Sequence, residues 1–108
     1  NFGGRIIRIT EQKNIDLIGI KSLALGKWQD NTMKQKYPNC WYQPIENTRI
    51  ARIAISWAIS QNIVSFIPPA DIHLFETALQ LISDSVEFTP RHLKEIKNLL
   101  PEITPIFP

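Results

Sequence analysis

The chain has 108 residues, 44% of them hydrophobic and 20% charged, the balance of one ordinary globular unit rather than of a disordered segment. Its 12 Lys and Arg against 10 Asp and Glu leave a formal charge of +2, spread without a sustained basic run, which does not imply a nucleic-acid partner. A single cysteine, Cys40, excludes an internal disulfide framework, and no apolar stretch reaches the roughly 18 residues of a membrane span, so a cytoplasmic protein without membrane contact is expected.

In chain order, Arg5 to Gln12 carries Ile6, Ile7 and Ile9 among charges and predicts a short helix, closed by a basic last turn and a cap at Lys13-Asn14. Asp16 to Lys21 predicts a strand, with Gly19 where a side chain would obstruct close packing or a bound ligand. Gly26 to Pro44 has the composition of a long loop, and Trp28, Trp41 and Tyr42 within it are expected to pin that loop to its own domain, the alternative being that they wall an apolar substrate pocket.

From Asn47 onward the hydrophobic period changes once. Asn47 predicts an N-cap; Ile50, Ile53, Ala54, Trp57 and Ala58 then follow at the spacing of one helical face, and Asn62 predicts a left-handed cap. Ile63 to Ile67 is apolar without clean alternation, as expected of a parallel strand covered on both faces, and Pro68 and Pro69 stop it. Asp71 predicts the cap of a well-buried helix with Ile72, Phe75, Leu79 and Ile82 on one side, supported by Leu74, Ala78 and Leu81. Thr89-Pro90 opens a last helix with Leu93, Ile96, Leu99 and Leu100 as its stripe, stopped by Pro101. The proline-rich 101–108 tail is expected to run extended. The order implies two parallel strands joined by a crossover, with ligands expected at their carboxyl ends.

Two strand ends carry a family resemblance. Ser60-Gln-Asn62 followed by Ile63-Val-Ser-Phe-Ile-Pro-Pro-Ala70, then a helix with Leu74-Phe-Glu76, resembles the last barrel strand and following helix of the aldo/keto reductases. There the pattern runs Ser-Gln-Pro-Gly-Val, Ile-Pro-Gly and Gln-Leu-Glu-Glu-Asn. Upstream, Ile18-Gly-Ile-Lys-Ser-Leu23 resembles the family's preceding strand, commonly ending Met-Lys-Pro-Leu. The resemblance covers most of the chain, residues 1–108 being read as one segment. It implies an α/β fold: the carboxyl-terminal part of a TIM (β/α)8 barrel, with two parallel strands and about five helices. A whole barrel needs roughly 250 residues, so the chain reads as the end of something longer.

What the family does then becomes the expectation. Family members reduce small-molecule carbonyl substrates with NADP(H) or NAD(H), which only a complete barrel would bind. The resemblance places Lys21, Ser22 and Leu23 along the pyrophosphate path. It places Pro69, Ala70, His73, Glu76 and Thr77 at the adenosine end, with Pro69 where Gly or Lys is common and His73 where Arg or Gln is common. None of the family's Asp, Tyr, Lys and His catalytic set falls on this chain, so it is expected not to catalyse alone. Its partners would be the remainder of the barrel; the alternatives are a non-catalytic α/β fragment that self-associates and an α-rich interaction module. His73, His92 and Cys40 have no metal-ligand spacing, and His92 is expected at the surface.

Overall fold

In the computed structural model, which describes residues 2–84 and 87–99, the chain is a mixed α/β structure. Helix α1 spans Phe2–Lys13. It ends in Asn14, held at φ 51°, and the Ile15 amide reaches back to the Thr10 carbonyl at 2.9 Å, closing the last turn as expected. Strand β1 (Ile18–Gly19) pairs in parallel with β4 (Ser65–Phe66), Ile18 opposite Ser65 and Gly19 opposite Phe66. Flanking bonds from the Val64 amide to the Leu17 carbonyl and from the Ile67 amide to the Gly19 carbonyl, both 2.9 Å, extend the ladder slightly. The two strands are neighbours and parallel, as the period change predicts, but shorter than Asp16–Lys21 and Ile63–Ile67. Each has one partner among the described residues, so only the central residues are held by the ladder.

The 26–44 segment departs from a plain loop. Strand β2 (Ala24–Gly26) and strand β3 (Gln43–Pro44) form an antiparallel pair with an irregularity between Ala24 and Gly26, and helix α2 (Asn31–Lys36) lies between them. Asp30 caps α2 by accepting from the Thr32 amide at 2.7 Å, a local signal hidden in a polar stretch of only six helical residues. The aromatics do pin the segment: Trp28 Nε1 donates to the Cys40 carbonyl at 2.9 Å, and Tyr37 and Tyr42 are buried. Trp41 is the exception, exposed at 60%.

The core forms where helix α3 (Thr48–Ser60) meets helix α4 (Ile72–Ser83) over β1 and β4. Leu23, Ala51, Ile55, Ala78 and Leu81 make its centre, with Ile45, Ala54 and Phe66 packed against it. Asn47 and Asp71 cap the two helices, accepting from the Ile50 and Leu74 amides, and Asn62 takes the left-handed conformation expected of it. The buried face of α3 is nevertheless rotated from the expected one. Ala51, Ile53, Ile55, Ser56 and Ala58 are buried, while Trp57 is 45% exposed, because alanines let α4 approach where an indole would hold it away.

The same correction applies more strongly to α4. Its packed residues are Ala78 and Leu81, and the stripe expected inside, Ile72, Phe75, Leu79 and Ile82, is exposed. A helix apolar on both sides gives no periodicity by which to choose, and the side carrying the small Ala78 fits against α3. Nor is β4 covered on both faces: Ile18, Ile20 and Ile67 share an outer face and remain more than half exposed, with no described element over them.

Helix α5 spans Pro90–Leu99. His92, expected to be a plain surface residue, is half-buried at the start of α5, its Nδ1 accepting from the Thr89 amide at 3.1 Å. The Leu99 side chain, Leu100, Pro101 and the 101–108 tail, expected to run extended, lie outside the described residues.

Glu46 ties α2 to the start of α3, its carboxylate accepting from Lys36 Nζ at 2.8 Å and from Tyr37 Oη at 2.7 Å. The bond from Lys36, then that from Tyr37, holds the carboxyl below its ordinary value. A carboxyl depressed on folding contributes stability above the unfolded value, near 4.5, and loses it as pH falls through the lower folded value. Glu46→Gln should therefore lower the melting temperature at neutral pH and narrow the gap to wild type on acidification, as thermal melts across an acid series would record.

Candidate functional site

Both parallel strands end at one cleft. Strand β1 runs out into Lys21, whose φ of 59° turns the chain sharply, and the Ala24 amide closes that turn on the Lys21 carbonyl at 3.0 Å. Strand β4 runs into Pro68 and Pro69. The segment between α2 and β3 returns to the same end as a third wall. The result is a cleft of about 370 Å³ lined by Ile20, Lys21, Asn39, Cys40, Trp41, Tyr42, Ile67, Pro68 and Ala70. In parallel α/β architectures this is the end at which ligands are bound.

Its chemistry is an apolar wall with one cation at the rim. Lys21 Nζ lies 4.3 Å from the Trp41 ring centroid, within cation–π range, and Trp41 meets Tyr42 edge to face at 5.6 Å. Cys40 is 1% exposed, and burial pushes its thiol up; a hydrogen bond from the Ala70 backbone opposes this and the Asp71 charge adds to it. Such a thiol is not a poised nucleophile. The bond nevertheless joins the third wall to the loop after β4. Burial also raises the Tyr42 phenol, with Cys40 a lesser cause. Among the described lining residues Lys21 is the only charged side chain, and the Cys40 thiol and the Tyr42 phenol are the other ionisable groups.

Of the residues singled out in the sequence, Lys21 and Ala70 come together here. Ser22 faces the helix side instead, in a hollow of about 260 Å³ with Gly19, Trp57 and Gln61. Leu23 is a core residue at 4% exposure, and Pro69 is buried. His73 and Glu76 are exposed on α4 and Thr77 is half-buried; none lines the cleft. Asn39, Cys40, Trp41 and Tyr42 are additional lining residues. Their signal was the aromatic segment itself, but the β2–β3 pairing that returns it to the strand ends is too short to read from two- and three-residue strands.

The start of α4 offers little to an anion. Pro68 and Pro69 have no amide hydrogen, and Asp71 Oδ1 already occupies the Leu74 amide at 3.0 Å. Among the described residues there is no cluster of histidine, cysteine and carboxylate side chains that could hold a metal ion, and no helix is long and apolar enough to cross a membrane. Comparison with known protein families, with curated proteins and with solved structures finds no match.

Proposed function

We propose that the chain supplies the last two β/α units of an aldo/keto-reductase-like barrel, and that the complete protein reduces carbonyl compounds with a nicotinamide dinucleotide. The observation that carries this reading is the convergence of Lys21 and Ala70, from two separately recognised strand ends, on one cleft at the carboxyl ends of adjoining parallel strands. The bare outer face formed by Ile18, Ile20 and Ile67 supports it, since in a closed barrel that face would be filled by side chains of the other strands. Each strand also has an open edge among the described residues, where a further parallel strand would pair.

In this reading Lys21 would meet the pyrophosphate, and Trp41 and Tyr42 would wall the cleft beside it. The bound cofactor would supply the hydride; this chain's residues hold and orient it and exclude water. The adenosine end fits less well. At the positions that the resemblance assigns to the adenosine end, the Asp71 carboxylate would oppose a 2′-phosphate, which would favour NAD(H) over NADP(H).

Asp71→Ser tests this end directly. It keeps an N-cap oxygen for the Leu74 amide and deletes one negative charge. The expected gain for NADPH is on the order of 1 kcal/mol, several-fold in affinity, with a smaller gain for NADH and a loss of the difference at high salt. Fluorescence titration of both cofactors against a barrel carrying this segment reads it. Equal changes for the two would mean that the loop does not face the phosphate.

A non-catalytic, self-associating α/β unit is the second reading, favoured by the exposed stripe Ile72, Phe75, Leu79 and Ile82 on α4. Light scattering over a concentration series separates the two, because self-association gives a mass that rises with concentration.

A further inference from the structure

A second cleft lies away from the strand ends, between the beginnings of α3 and α5. It measures about 290 Å³ and is lined by Arg49, Arg52, Ile53, Arg91, His92 and Glu95. Three arginines and one carboxylate thus share the cleft. Glu95 Oε1 accepts from Arg49 Nη2 at 2.9 Å and stands 3.9 Å from Arg91 Nε, so one acid orients two arginines. Arg52 has no acidic partner among the described residues, and with His92 neutral the lining keeps two net positive charges. His92 contributes a further donor: its Nδ1 accepts from the Thr89 amide, so the neutral ring carries its proton on Nε2.

The Arg49–Glu95 pair ties α3 to α5, but it leaves Arg52 unaccounted for. The arginines fall in the opening turns of two helices that have no acidic residue in their first turns, so they stand against the helix dipoles rather than with them. Guanidinium forks are suited to the oxygens of a phosphoryl group, which two or three of them can grip at once. The cleft has the volume of a small solute, and it lacks the aromatic platform and continuous basic groove that a nucleic-acid strand requires.

We infer that this cleft binds a dianionic phosphoryl group, carried by free phosphate or a small phosphate monoester, with Arg52 as the uncommitted ligand and Glu95 as the residue that positions Arg49 and Arg91. The inference does not rest on the barrel reading. Its test uses the full chain, with phosphorus-31 NMR line broadening and melting temperature followed against inorganic phosphate, glycerol phosphate, and potassium chloride at matched ionic strength. Phosphate should broaden and stabilise saturably while chloride does not. Arg52→Gln, at an exposed position that leaves the core intact, should raise the half-saturating concentration about tenfold. Tighter binding of glycerol phosphate would identify a monoester, and equal binding the free ion. An equal response to chloride, or a phosphate response unchanged in Arg52→Gln, would overturn the site.

Discussion

Ile55→Ala should destabilise the chain by about 3 kcal/mol, within the range for emptying a fully buried isoleucine site. Ile55 is 0% exposed and packs with Leu23, Ala51, Ala78 and Leu81, where α3 and α4 press against one another. Two of these four neighbours, Ala51 and Ala78, have side chains too short to reach into the space left behind, so it cannot readily be refilled. Such a loss is a large fraction of the about 5–15 kcal/mol that stabilises an ordinary domain, and chemical denaturation should show a clear shift of midpoint at constant slope. Leu79→Ser, on the outer stripe of α4, is the control: at 53% exposure it should change stability by less than about 0.5 kcal/mol in the same assay. A reversal of the two would restore the helix face that the periodicity alone suggests.

The second large effect depends on context. Ile20→Asp should be nearly neutral in the chain alone, where Ile20 is 63% exposed, and should cost several kcal/mol in a complete barrel. There the outer face of β1 and β4 becomes interior, and a carboxylate without a partner would be removed from water. Soluble yield and melting temperature, compared between the chain and a barrel containing it, report the difference. An equal, small effect in both would show that no other strands cover this face and would favour the self-associating unit.

The parts of the fold legible in the sequence were those written in local chemistry. Asn47 and Asp71 as N-caps, Asn14 as the close of α1, Asn62 as a left-handed cap, and the single change of period at Asn62 each depend on a few adjacent residues, and each is found in place. Which side of α4 packs was not legible, because Ile72, Phe75, Leu79 and Ile82 are as apolar as Leu74, Ala78 and Leu81; the small Ala78 decides it only once α3 is opposite. The same limit hid part of the site. Lys21 and Ala70 were marked by strand ends, whereas Asn39 to Tyr42 reach the cleft through a short antiparallel pair and a capped six-residue helix, both of which depend on contacts distant in sequence.

In the proposed function, the cleft at the ends of β1 and β4 would face a nicotinamide dinucleotide. Trp41, exposed at 60% beneath the Lys21 ammonium, is a reporter already in that cleft. Tryptophan emission, followed as NADH is added to a complete barrel containing this chain, tests this. Saturable quenching is expected, mostly lost in Trp41→Phe and needing about tenfold more cofactor in Lys21→Ala, as for the removal of one charge-assisted contact. Quenching that survives Trp41→Phe unchanged, or an affinity indifferent to Lys21, would place the cofactor elsewhere and contradict it.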